Sequence, residues 1–172
     1  MPGVFDSFKA DFRGLFKTKP DKGFVLGSIV TLSGLAVSLW SFILLLREGS
    51  FHFGIVGLIG LSLIVIGHGI RLQARRTLDR FFSVRLKTSA DHELVKQGIY
   101  RYVRHPAYLG YLIACFGYPL LLSSWYGLFI MLLNIPVIIY RIKIEEEILI
   151  KRFGEKYLDY RKFSKKLIPY IY

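Results

Sequence analysis

Read for polar positions alone, the chain divides into long uncharged runs separated by basic segments. Gly23 to Leu46 contains no ionisable side chain, and Gly49 to Ile70 contains only His52 and His68. Pro106 to Tyr140 then runs 35 residues without Asp, Glu, Lys, Arg or His. A helix needs about 20 apolar residues to cross a bilayer core, so the first two runs each predict one span. The third would make a helix of about 52 Å at about 1.5 Å per residue, well beyond one crossing. It carries Pro119 and a Ser123-Ser124-Trp125 corner, which predict a tight helical hairpin, Ala107 to Leu122 and Trp125 to Tyr140. Trp125, Tyr126 and Tyr118 suit the membrane interface.

Finer patterning adds three features. Val4, Phe5, Phe8, Phe12, Leu15 and Phe16 recur at helical spacing among Asp6, Lys9, Arg13 and Lys17, which predicts an amphipathic helix lying in the headgroup plane. Its plain role is to orient span one; a gate over a lipid-side entrance is the sharper alternative. Gly23, Gly27, Gly34 and Ser38 in span one, with Gly54, Gly57, Gly60, Gly67 and Gly69 in span two, predict close packing of these helices on each other or on the hairpin. Asn134-Ile135-Pro136 predicts a kink near Leu132 or Leu133, because proline removes one helical hydrogen bond. Beyond Tyr140 the helical pattern turns amphipathic, with Gly154 as a bend and Pro169 as a stop. His68, flanked by Gly67 and Gly69, is expected to be neutral and hydrogen-bonded across the bundle.

Composition explains why the charge is there. The 172 residues are 53% hydrophobic and 16% aromatic, with a mean hydropathy of +0.42 and a net charge of +12. Of the 24 Lys and Arg, 23 lie before span one, between Arg71 and Arg104, or from Arg141 onward; the remaining one is Arg47. That asymmetry predicts both termini and the central loop on the cytoplasmic side. Flanking positive charge also attracts anionic lipid, which leaves nucleic-acid binding without support. Cys115 is the single cysteine and falls within a span, so no internal disulfide forms. The first apolar run is longer than a signal-peptide core, and no C-terminal prenylation motif occurs. The expected fold is thus all-α and integral to the membrane: four transmembrane helices, an N-terminal amphipathic helix and a cytosolic C-terminal helical extension. It forms a single domain over 1–172, made of a lead (1–22), spans one and two (23–72), a cytosolic loop (73–105), a helical hairpin (106–140) and a C-terminal segment (141–172).

Candidate chemistry lies at the two ends of that hairpin. Gly98, Tyr100, Arg101, Arg104, His105, Pro106 and Tyr108 precede or open it, and Arg141, Glu145 and Glu146 close it. The ends of an antiparallel hairpin are neighbours, so Arg104, His105, Tyr108, Arg141, Glu145 and Glu146 are expected to converge on one pocket at the membrane surface. Snorkelling side chains and surface ion pairs account for the arginines. Three consecutive acids beside an anionic leaflet fit that explanation worse. Successive helical residues lie about 100° apart, which predicts Glu146 inward, Glu145 beside it and Glu147 in water. No metal-ligand set is expected.

These residues carry a resemblance. The stretch L-D-R-F-F-S-V-R-L-K-T-S-A-D-H-E-L-V-K-Q-G-I-Y-R-Y-V-R-H-P-A-Y from Leu78 to Tyr108 resembles the cytosolic segment of the isoprenylcysteine carboxyl methyltransferase family and its prokaryotic relatives, within the phospholipid methyltransferase superfamily. The pattern H-x-L-V-x-x-G-x-Y-x-x-x-R-H-P-x-Y matches His92 to Tyr108. A second pattern matches Arg141, Glu145, Glu146, Phe153, Gly154, Tyr157 and Tyr160. Asp79 stands where many relatives carry glycine. The resemblance covers about the C-terminal 95 residues and implies S-adenosyl-L-methionine as methyl donor. It implies a cofactor pocket of His92, Leu94, Val95, Gly98, Tyr100, His105, Pro106, Tyr108 and Glu145, to which Arg104 of the R-H-P element is added. Arg141 and Glu146 would lie where acceptor and methyl group meet. A carboxylate suits the donor's amino group, Arg or His its carboxylate, and an apolar slot its adenine.

The activity so implied is methyl transfer to a lipophilic acceptor, foremost carboxyl O-methylation of an isoprenylcysteine-like substrate. Alternatives are phospholipid amine N-methylation, thiol methylation, a sterol-reductase-like NADPH enzyme and a non-enzymatic membrane scaffold. A carboxylate acceptor needs no general base, and Arg141 could orient it by a bidentate contact. An amine or thiol needs one, with Glu146 or His105 as candidates. Expected partners are the lipophilic or prenylated acceptor and membrane lipids, without nucleic acid; no motif fixes an oligomeric state.

Overall fold

A computed structural model describes residues 22–50, 54–78 and 94–168. The amphipathic lead, Asp79, His92 and Pro169 lie outside the described residues. Six α-helices are described: α1 (Lys22–Arg47), α2 (Ile55–Leu78), α3 (Pro106–Leu121), α4 (Trp125–Leu132), α5 (Asn134–Phe153) and α6 (Glu155–Phe163). A 3-10 turn, Gly98–Arg101, precedes α3. Among the described residues no strand forms beyond one isolated parallel bridge, Val103 with Lys165.

Three helical stretches are long and apolar enough to cross a membrane: α1, α2 and the pair α4–α5 over Trp125–Phe153. The fourth, α3, has 16 residues and is about 24 Å long, short of a bilayer core of about 30 Å. The chain is a multi-pass membrane protein, all-helical apart from that bridge in its described residues. Four apolar helical segments are therefore present, one shorter than an unaided crossing. Span two also differs in extent from the expected Gly49 to Ile70. It begins at Ile55 and continues past Ile70 through Arg71, Arg75 and Arg76. Gly49, with a left-handed backbone (φ 66°), closes α1, and Ser50 N–H bonds to Leu45 O.

Local chemistry sets the remaining ends. Pro106 opens α3, where its missing N–H costs no helical bond. Ser124 caps α4 by accepting from Gly127 N–H. The expected kink lies at Leu133, between α4 and α5. Pro136 falls in the first turn of α5, where amides have no intrahelical partner, so the break precedes it. Gly154 (φ 52°) separates α5 from α6, as its position suggested.

Burial runs inside out relative to a water-soluble helix. The buried residues of α1 are Gly23, Gly27, Gly34 and Ser38, and those of α2 are Gly57, Gly60, Gly67 and Ala74. Leu32, Trp40, Ile55 and Val65 are exposed. Lipid is as apolar as leucine, so close backbone approach drives this packing. Two seams result. Along the first, α2 runs antiparallel to α3 with Gly60 on Gly117 and Gly67 on Gly110; a Cβ at Gly67 would lie 2.5 Å from the Gly110 carbonyl oxygen. Along the second, α1 runs antiparallel to α4 and α5, pairing Ser38 with Gly127, Gly34 with Met131 and Gly27 with Val137. Spans one and two thus each pack on the hairpin region, one of the two arrangements the glycines allowed. His68 Nε2 lies 2.8 Å from Tyr118 OH, the cross-helix hydrogen bond expected of it.

Candidate active site

The N-terminal end of α3 meets the middle of α5 and the segment after α6. Backbone pairing fixes this meeting: Arg104 N–H donates to Lys165 O (2.8 Å), His105 N–H to Lys166 O (3.1 Å), and Lys165 N–H to Tyr102 O (3.0 Å). Tyr160 OH donates to Tyr100 O. The residues after Phe163 therefore clip the Arg104–His105 pair against α5.

Glu146 is the hub. Arg104 Nε donates to Glu146 Oε1 at 2.8 Å, with Arg104 8% and Glu146 5% exposed. His105 Nε2 lies 3.5 Å from the same oxygen, and Arg161 Nη2 lies 3.8 Å from Oε2. Arg104 Nη1 donates to Ser164 O and, at 3.4 Å, to Arg161 O. Its fork is thus spent inside the protein, and Arg104 enters the site as the clamp on Glu146. A buried carboxylate held this way is stable only while its partners remain, because an unpaired charge at that depth is costly.

Glu145 is half-buried beside it, its Oε2 3.8 Å from His105 Nδ1, and Glu147 is exposed. All three acids face as the 100° spacing predicted. His105 Nε2 is buried without a hydrogen-bond partner, although it sits within ion-pair range of Glu146. The His105 ring stands 5.9 Å from that of Tyr108, tilted by 30°.

Tyr108 leads to Arg141. The Arg141 guanidinium carbon lies 5.6 Å from the Tyr108 ring centre and 5.5 Å from that of Phe24 in α1, and Arg141 is 6% exposed. Arg141 and Glu146 are five residues apart, about 140° around the helix. Arg141 therefore faces α1 and α3, while Glu146 faces the R-H-P element and the C-terminal strap. One string of contacts joins them: Phe24, Arg141, Tyr108, His105, Glu146, Arg104, Ser164.

Of the other proposed positions, Pro106 and Tyr100 adjoin this string. Pro106 is buried at the start of α3 and Tyr100 is buried under Tyr160; Leu94 and Val95 are half-buried. Gly98 is exposed, with a left-handed φ of 57° and Thr77 close to where a Cβ would be. Burial, reinforced by the Glu145 charge, pushes the Tyr100 phenol up, and burial beside Glu146 does the same to Tyr157. Tyr160 is pushed up by burial to about 12. All three stay neutral near pH 7 and supply no base. Phe24, Arg161 and Ser164 were not anticipated. Arg161 and Ser164 do share a helical stripe with Tyr157 and Tyr160, a signal of a common inward face; Phe24 has none.

The donor set fits an S-adenosylmethionine-like ligand. Glu145 keeps a partly open carboxylate for an ammonium group, and the His105 and Tyr108 rings stand on its buried side.

Residues 55–156 match the phospholipid methyltransferase family. The chain belongs to that family. Its curated relatives include the protein-S-isoprenylcysteine O-methyltransferases of Saccharomyces cerevisiae, 35% identical over 116 residues (66% of this chain, 48% of the relative), and Schizosaccharomyces pombe, 35% identical over 129 residues (71% and 53%). The family resemblance read from the two motifs is therefore supported. The eukaryotic intramembrane Ras methyltransferase ICMT (isoprenylcysteine carboxyl methyltransferase) shares the architecture, with a TM-score of 0.69 at 26% identity over 91% of this chain and 55% of that one. The chain spans about half the length of the curated relatives it matches.

Proposed function

We propose that the chain is an integral-membrane methyltransferase that uses S-adenosyl-L-methionine to O-methylate the carboxylate of a lipophilic, S-prenylcysteine-like acceptor. Bound S-adenosylmethionine supplies an electrophilic methyl group carried on a sulfonium. Leu94, Val95, Gly98, Tyr100, His105, Pro106, Tyr108 and Glu145, with His92, would hold it, Glu145 taking its amino group and His105 a polar edge. Arg104 acts one step back by fixing Glu146.

The observation that carries this reading is the division of labour between the two charged centres. Arg141 lies in a dry aromatic slot with a planar fork suited to a carboxylate. Glu146 is already engaged by Arg104, which makes it a poor proton acceptor. A carboxylate needs no base, whereas an amine does. Excluding water around Arg141 favours a step in which opposite charges disappear. The names of the curated relatives point to the same acceptor class. The family's own name keeps phospholipid amine N-methylation as the second reading.

Four crossings, with α3 completed by its flanks, suit this function. So does a single domain over 1–172 with the 1–22 lead in the headgroup plane. Trp125–Phe153 spans 29 residues, about 43 Å, so its Arg141–Phe153 end projects beyond the hydrocarbon. Basic flanks put both termini and the site on the cytoplasmic face. Calorimetric titration of the detergent-purified protein with S-adenosylmethionine tests the donor assignment. The expected result is saturable heat and thermal stabilisation. Absence of both would remove the enzymatic reading.

A further inference from the structure

We infer that Phe24, in the first turn of α1, is a positioning residue for the acceptor: it closes an aromatic clamp on Arg141 and so makes α1 part of the acceptor site. The inference rests on Arg141 facing the acceptor carboxylate, as proposed above.

The α1 seam brings Phe24 to this place. Ser38 sits on Gly127, Gly34 on Met131, and Gly27 on Val137. Thr31 Oγ1 reaches Asn134 Oδ1 at 3.3 Å. Carried one more turn in the same antiparallel register, α1 sets Phe24 opposite Arg141, and its ring centre lies 5.5 Å from the guanidinium carbon. Tyr108 supplies a second ring at 5.6 Å. Gly27 and Gly23 are both buried, so the helix carrying Phe24 approaches α5 closely at this level.

A guanidinium attracts the face of an aromatic ring, most strongly where water is excluded. Two rings within cation–π range hold the guanidinium at this level, and its planar fork suits a carboxylate. Neither the R-H-P element nor the glutamates supply the second ring. Leucine at position 24 would fill the apolar space without a π face; tryptophan or tyrosine would keep one.

The test compares wild type with Phe24→Leu and Phe24→Trp in the full chain. The first arm measures methylation of a synthetic N-acyl S-prenylcysteine and S-adenosylmethionine binding. A cation–π contact predicts that Phe24→Leu raises the acceptor KM about 3- to 30-fold. The Kd for S-adenosylmethionine stays within about twofold, and Phe24→Trp returns KM toward wild type. The second arm needs no acceptor: phenylglyoxal modification of Arg141, followed by mass spectrometry, should run several-fold faster in Phe24→Leu than in wild type or Phe24→Trp. An unchanged KM and Arg141 reactivity in Phe24→Leu overturns the clamp. Equal loss in Leu and Trp variants, or parallel loss of S-adenosylmethionine binding, reduces Phe24 to a packing residue and also overturns it. If wild type leaves the prenylcysteine unmethylated, the acceptor reading fails and Arg141 reactivity alone decides the clamp.

Discussion

The two helix seams are built from the same kind of residue and behave differently. Where α2 meets α3, glycine meets glycine and backbone meets backbone; Gly60, Gly67, Gly110 and Gly117 leave no room for a methyl group. Where α1 meets α4 and α5, small residues alternate with polar pegs. Tyr111 OH donates to Asn134 Oδ1 at 2.9 Å, Thr31 bonds both, and Ser38 sits beside Gly127. That second seam ends at Phe24 and Arg141. The first is a rigid rail that fixes α3, and with it the start of the R-H-P element. The second closes on side chains rather than on backbone, and it terminates in chemistry.

This contrast can be broken in several places. Arg104→Ala has the largest expected effect, because it strands Glu146 and the Ser164 carbonyl in a dry site; a loss of about 3–5 kcal/mol is expected in denaturant or thermal unfolding. Arg104→Lys should restore little, since one ammonium cannot span the partners of Nε and Nη1. Gly67→Ala comes next. Its new methyl meets the Gly110 carbonyl and the Ala114 amide, and overpacking against backbone predicts about 2–3 kcal/mol of destabilisation. Asn134→Leu removes the acceptor shared by Tyr111 and Thr31 and should cost about 1 kcal/mol, in line with intramembrane hydrogen bonds. Gly34→Ala is the control for the rail. Its methyl meets side chains, the Met131 thioether end at 2.9 Å and Ile130 Cγ2 at 3.4 Å; a thioether can shift where backbone cannot, and better helix propensity offsets part of the crowding, so the cost should stay below about 1 kcal/mol. If the alanines at 34 and 67 cost the same, the two seams are not distinct.

Much of the architecture was legible because each signal was local. Uncharged runs marked the apolar helices, Pro136 the break at Leu133, and Gly154 the bend before α6. Glycine spacing announced close packing but not the partner, since the pairing of Gly67 with Gly110 depends on tertiary register. The convergence of Arg104, His105, Glu145 and Glu146 followed from the hairpin, and the outward Glu147 from helical geometry. Phe24, Arg161 and Ser164 were hidden because each reaches the site from an element remote in sequence. The separation of Arg141 from Glu146 by Tyr108 and His105 was hidden for the same reason. Motifs place both residues in one site; only the fold gives them different faces.

Methyl transfer to a prenylcysteine-type carboxylate beside Arg141 can be followed directly. The most direct measurement incubates the purified protein in lipid with methyl-tritiated S-adenosylmethionine and an N-acyl S-prenylcysteine, then treats the extracted product with alkali. Label is expected in the lipid-soluble product, released as volatile methanol, and none with Arg141→Ala. An alkali-stable product, or no labelled product from a protein that binds the donor, contradicts this reaction.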